Sequence, residues 1–292
     1  MKTHLKLPGI VLALLLFSCS EKPTENISAN TEQKKPNFVI IFADDLGYGD
    51  LGVYGHPTIK TPNLDRMANE GQKWTNFYAG ASVCTPSRAA LLTGRLPVRS
   101  GMASSKHRVL FPDSKNGLPA SEITLAEQLK TVGYKTAAIG KWHLGHKEEY
   151  LPTNHGFDYY FGDGTINFPP YAWIENDRFI NVPTADMDFD NIGFETKEGH
   201  WEFRPGPKEK DWNPYKVLPT LTEKTVDWIN KQNKDEPFFL YLALPSPHAP
   251  IIPNDEFDGK SQAGGYGDFM VQTDWVAGQV LKALKEKGIE DN

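Results

Sequence analysis

Cysteine is nearly absent from this sequence: 292 residues contain two, Cys19 and Cys84. That excludes a scaffold stapled by several disulfides. Positive charge is not in excess either. Thirty-one Lys and Arg stand against 37 Asp and Glu, a formal net charge of −6, so the basic footprint of a nucleic-acid-binding protein is missing. A chain of this balance that binds a polyanion needs a local basic site rather than a global field. Long apolar runs are lacking too. The run Ile10 to Phe17 is too short to cross a bilayer as a stable helix, and no second candidate span follows it. No internal repeat is present, which excludes repeat architectures.

What is present begins with a leader. Lys2, His4 and Lys6 precede the short apolar run, the pattern of a signal peptide over residues 1–18. Leu16-Phe17-Ser18-Cys19 resembles a bacterial lipobox. The resemblance implies an exported chain that starts at Cys19, is lipid-anchored there to a bacterial membrane, and faces the periplasm or the cell surface. An ordinary secretory signal is the alternative. Polar residues 19–35 read as a flexible tether. With Cys19 lipidated, Cys84 has no partner, and an unpaired cysteine in an exported protein is reactive or modified.

Residues 36–292 carry the fold. Asn37 to Phe42 and Phe238 to Leu244 are continuous apolar runs, as expected of strands covered on both faces, and Lys135 to Ile139 is a third strand. Lys73 to Tyr78 is a fourth candidate. Helices are expected from Pro62 to Gly71, after the Thr124/Glu127 capping box, over Thr222–Asn233, and over Tyr266–Lys287. Residues 151–213 lack a sustained period and read as long loops with short strands. This alternation predicts an α/β fold: a doubly wound, mostly parallel sheet with helices on both faces. Ligands bind such sheets beyond the carboxyl ends of the strands.

The chemistry-bearing residues fall at those ends. Asp44 and Asp45 leave the first strand as adjacent carboxylates, which need a hard cation unless they form a solvated turn. Lys141 and His143 follow the 135–139 strand, with a spacing that puts them on one side of an extended chain. His248 follows the 238–244 strand. Cys84 stands at a helix start, with Thr85 and Ser87 as possible caps, Pro86 suited to the first turn, and Arg88 one turn on. A helix start favours an anion there. His107, His146, His155 and His200 read as structural histidines.

Cys-Thr-Pro-Ser-Arg-Ala-Ala-Leu-Leu-Thr-Gly-Arg (84–95) resembles the sulfatase signature. Asn37-Phe-Val-Ile-Ile-Phe-Ala-Asp-Asp-Leu-Gly47, Gly140-Lys-Trp-His-Leu-Gly145 and Pro247-His-Ala-Pro250 resemble other motifs of the formylglycine-dependent, arylsulfatase-like family, within the alkaline phosphatase superfamily. The resemblance implies a sulfuric ester hydrolase acting on a sulfated carbohydrate or aryl sulfate. It implies that Cys84 is oxidised to formylglycine by a formylglycine-generating or anaerobic sulfatase-maturating enzyme. Asp44, Asp45 and residue 84 would hold calcium (Ca2+). Arg88 would orient the formylglycine, Lys141 and His248 would hold sulfate and assist the leaving group, and His143 would contact the formylglycine hydroxyl.

Two features depart from the family pattern. A serine that the family pattern places near residues 161–167, against the formylglycine or sulfate, is missing, leaving Thr165 or Asn167 as the candidate substitute. Gly288 to Asn292 resembles the turn before a further central strand that brings more calcium ligands. The expectation is therefore a catalytic domain whose C-terminal part is missing. An inactive sulfated-glycan-binding lipoprotein and a phosphatase or phosphodiesterase of the same superfamily are the competing functional readings.

Overall fold

A computed structural model describes residues 34–104, 108–163, 167–188 and 193–292. The signal segment, Cys19, the tether up to residue 33, His107 and Thr165 lie outside the described residues. Among the described residues no helix is long and apolar enough to cross a membrane.

A six-stranded sheet organises the chain. Its strands are β1 (Phe38–Asp44), β2 (Lys135–Gly140), β3 (Tyr159–Gly162), β4 (Ile174–Glu175), β5 (Arg178–Phe179) and, later in sequence, β8 (Phe238–Pro247). Their spatial order is β1-β8-β2-β3-β4-β5. The first four run parallel, and β4 and β5 form an antiparallel hairpin at one side. β6 (Ala185–Met187) and β7 (Gly206–Lys208) make a separate antiparallel pair.

β8 is buried along its whole length, which explains its unbroken apolar run. Its residues alternate between two cores. Leu240, Leu242 and Leu244 pack with Leu221 and Ile229 of α4 (Val217–Lys231) and with Val276 and Val280 of α5 (Gly264–Lys287). Phe239, Tyr241 and Ala243 pack on the other face with Ala89 and Leu92 of α2 (Cys84–Thr93) and Ala126 of α3 (Leu125–Lys130). Helices thus cover both faces, as the alternation of elements implied. Each fully buried Leu or Phe contributes about 1.5–3 kcal/mol by leaving water.

α1 (Pro62–Glu70) has no side-chain cap of its own at Thr61. Asp274 of α5 does that work instead. Its carboxylate accepts from Leu64 N at 2.8 Å and from Asn63 Nδ2 at 2.8 Å. α3 has the expected capping box: Glu127 N donates to Thr124 Oγ1, and Thr124 N donates to Glu127 Oε2.

Three local expectations are corrected. Residues 73–78 form no strand. Trp74, Phe77 and Tyr78 are exposed, and the neighbouring strand β1 pairs only with β8 among the described residues, so that aromatic segment finds no ladder to join. α4 begins at Val217, not Thr222, because Pro219 falls in its first turn, where a missing N–H costs nothing. α2 has no side-chain cap: Val83 is the N-cap residue, and the Thr85 hydroxyl donates to His143 O while accepting from Leu110 N.

Candidate active site

The carboxyl ends of β1, β8 and β2 lie side by side and face the start of α2. β1 ends at Asp44, paired in register with Pro247 of β8. β2 ends at Gly140, and the Lys141 amide then donates to Ala243 O of β8 at 2.8 Å. Only glycine fits at 140: its φ is 109°, and a Cβ there would sit 2.0 Å from Ala243 O. The polar residues after each strand are thereby held at one edge. Asp50 braces the turn after β1, accepting from Gly47 N and from Tyr266 Oη of α5, both at 2.6 Å.

Asp44 is the centre of charge. Lys141 Nζ stands 2.5 Å from its Oδ2, and Arg88 Nη2 stands 3.4 Å from its Oδ1. All three side chains are buried. Burial alone would raise the Asp44 carboxyl, but Lys141, Arg88 and His248 outweigh it and hold the group well below the usual carboxylate range. Arg88 is fully buried. It donates to Lys141 O at 2.8 Å and to Tyr241 Oη at 3.3 Å, and its guanidinium lies 5.4 Å from the Phe42 ring centroid.

Cys84 is the first residue of α2, where backbone N–H groups lack helical acceptors. Its Sγ is 3.6 Å from Lys141 Nζ. Burial pushes the thiol pKa up, and Lys141 offsets this only in part. The side chain is therefore held as a thiol, a poor nucleophile as it stands. Asp44, Cys84 and His248 offer one ligand atom each within 4.8 Å of one another. His248 Nε2 is also 3.6 Å from Asp45 Oδ2.

His143 donates through Nε2–H to Leu110 O at 2.7 Å, and its buried Nδ1 has no hydrogen-bond partner. Burial and then Lys141 keep the imidazole neutral, with a pKa well below the ordinary value. Its φ of 57° means that the chain is not extended there, so the two-residue spacing from Lys141 works for a different reason than expected. Asp45 also has a positive φ, 60°. Strained backbone at two polar residues of one cluster is the usual mark of a site held in place by its surroundings.

All seven residues singled out by sequence thus converge. Asp45, Cys84, Lys141, His143 and His248 line one cavity of ≈ 540 Å³. Asp44 lines the adjoining groove with Cys84, and Arg88 stands behind both. The same cavity is lined by Asn167, which the sequence offered as a stand-in for the missing serine, and by Arg108, Glu202 and Arg204, which sequence reasoning did not pick. His155 is a structural histidine, its ring packed against Trp142 at 5.9 Å between centroids.

The donor set suits a hard cation in part. Asp44 and Asp45 are adjacent carboxylates, and replacing the residue-84 sulfur by oxygen would add a third hard donor. Fixed cations on Asp44 leave the cluster able to accept an anion as well.

The sequence matches the Sulfatase family over residues 36–292. Human N-acetylgalactosamine-6-sulfatase is 39% identical over 270 residues, covering 91% of this chain and 50% of that protein. Human arylsulfatase A is 38% identical over 271 residues, covering 88% of this chain and 50% of its own length. A Bacteroides thetaiotaomicron structure from work on the metabolism of multiple glycosaminoglycans superposes with a TM-score of 0.77 at 30% identity, covering 89% of this chain and 61% of that one. A sulfatase structure from Pseudoalteromonas sp. gives 0.68 at 31% identity, with 87% and 53% covered. The chain spans about half the length of the curated relatives it matches.

Proposed function

Because this chain belongs to the sulfatase family, we propose that it hydrolyses sulfate esters of a carbohydrate, an N-acetylgalactosamine 6-sulfate unit being the first candidate from the relatives' activities. The observation that carries the reading is the position of Cys84. It opens helix α2 beside Lys141, with Asp44 and His248 within ligand reach.

Oxidised to formylglycine by a maturation enzyme, residue 84 supplies a hydrated aldehyde, an oxygen nucleophile in place of a protonated thiol. Asp44, Asp45 and residue 84 would hold calcium, which would neutralise charge on the sulfate and lower the pKa of an oxygen nucleophile. The remaining work falls to the chain's own groups. The Lys141 ammonium, poised between Asp44 and residue 84, holds a sulfate oxygen by a charge-assisted hydrogen bond. The α2 N-terminus adds backbone donors and a favourable dipole for the same anion. His248, largely buried and beside Asp45, is placed to protonate the departing alkoxide. His143, kept neutral, has Nδ1 free to bond the residue-84 oxygen. Arg88 acts through others: it fixes Asp44, the Lys141 carbonyl and Tyr241.

The same reading takes the chain to be exported and anchored through Cys19, which the Leu16–Cys19 pattern supports. Its test is the mass of the peptide containing residue 84 after co-production with a maturation enzyme. An aldehyde-bearing peptide, trapped by a hydrazide, is expected. An unmodified cysteine would contradict the formylglycine step.

A further inference from the structure

Six residues line the cavity, or its edge, away from the charged cluster: Arg108, Phe111, Asn167, Phe168, Glu202 and Arg204. They come from three separate loops, yet Asn167, Glu202 and Arg204 form one network. Asn167 Nδ2 donates to Glu202 Oε2 at 3.2 Å. Arg204 Nη1 donates to Glu202 O at 2.7 Å and to Asn167 O at 3.3 Å, and lies 3.5 Å from Glu202 Oε2. Its guanidinium covers the Phe168 ring at 4.2 Å. The fully buried Tyr171 locks the backbone beneath: its hydroxyl accepts from Arg204 N and donates to Arg204 O, both at 2.8 Å.

This network is built but unsaturated. Asn167 is 3% exposed, and its buried Oδ1 has no hydrogen-bond partner. A buried acceptor left unpaired is costly, and this one belongs to a residue of the cavity wall, where a ligand can supply the donor. Glu202, partly exposed, directs only Oε2 into the network and has its other oxygen available. Two neighbouring acceptors, with the half-exposed Phe111 ring beside them at 5.3 Å from Phe168, match a pyranose: adjacent hydroxyls donate and the apolar ring face packs.

We propose that Asn167 and Glu202 bind adjacent hydroxyl groups of the sugar ring whose sulfate faces Cys84, making them specificity-determining residues for a saccharide rather than an aryl ester. Arg204 is a positioning residue that holds both. This rests on the sulfate-ester reading for the identity of the sugar, but its test reads binding and not hydrolysis. A pocket whose acceptors must be satisfied rejects ligands without hydroxyls strongly.

The experiment is calorimetric or saturation-transfer NMR titration of the full chain with unsulfated N-acetylgalactosamine, which needs no turnover. Wild type is expected to bind, Glu202→Ala to bind roughly tenfold more weakly or worse, and Glu202→Gln, which keeps an acceptor for Asn167 Nδ2, to recover part of the loss. Unchanged melting temperature of Glu202→Ala guards against misfolding; should that variant melt early, Glu202→Gln against wild type carries the comparison. Absence of sugar binding by wild type, or equal affinity in the variants, overturns the proposal. Sulfate release from N-acetylgalactosamine 6-sulfate, assayed separately on the matured chain, tests the ester-hydrolysis reading: release together with equal sugar affinity in the Glu202 variants overturns the proposal alone.

Discussion

Lys141 Nζ and Asp44 Oδ2 meet at 2.5 Å across the end of β8, joining the strands that flank it. Both side chains are buried, so neither can be satisfied by water if the other is lost. Arg88 provides Asp44 with a second cation at 3.4 Å. The arrangement is therefore asymmetric: one carboxylate serves two buried cations.

That asymmetry predicts an order of stability. Asp44→Ala strands Lys141 and Arg88 together and is expected to cost about 3–5 kcal/mol, the range for breaking a buried pair. Lys141→Met leaves Asp44 with Arg88 and should cost clearly less. Urea unfolding in the presence of a chelator measures both, and the reverse order would contradict the geometry.

A second prediction concerns the cap of α1. Asp274→Ala removes the acceptor for Leu64 N and Asn63 Nδ2, leaving helix donors unsatisfied. A loss of about 1–2 kcal/mol is expected, with amide exchange accelerating first at residues 63–65. Unchanged exchange there would show that α1 is capped otherwise.

Acid should destabilise the chain through His146. Burial lowers its pKa from 6.5 to about 4, so the folded state prefers the neutral ring. Stability is full above pH 6.5 and is lost as the pH falls toward 4, by at most about 3 kcal/mol for this group. His146→Gln should flatten the part of the urea-midpoint profile between those limits. A profile identical to wild type would remove His146 as the cause.

The sheet was legible because burial on both faces writes itself as uninterrupted apolar sequence, as in Phe238 to Leu244, and the site residues were legible because Asp44, Asp45, Lys141, His143 and His248 lie at or just past strand ends, Cys84 opens a helix and Arg88 stands one turn into it. Lys73 to Tyr78 misled for the converse reason. Its aromatic composition suits a strand, but pairing depends on a neighbour that composition does not name. Asp274 as the cap of α1 is 211 residues from Asn63, beyond any local pattern. Glu202 and Arg204, and their link to Asn167, were equally hidden. Their spacing carries no period, and only the folded loops bring them to the cavity that Cys84 lines.

The proposed hydrolysis of sulfate esters depends on residue 84. The deciding experiment is sulfate release from N-acetylgalactosamine 6-sulfate by the full chain co-produced with a maturation enzyme, compared with Cys84→Ala prepared identically. Release by wild type and its loss to background in Cys84→Ala are predicted. Equal release by both proteins, or none from the wild type bearing a verified aldehyde at residue 84, would contradict the account.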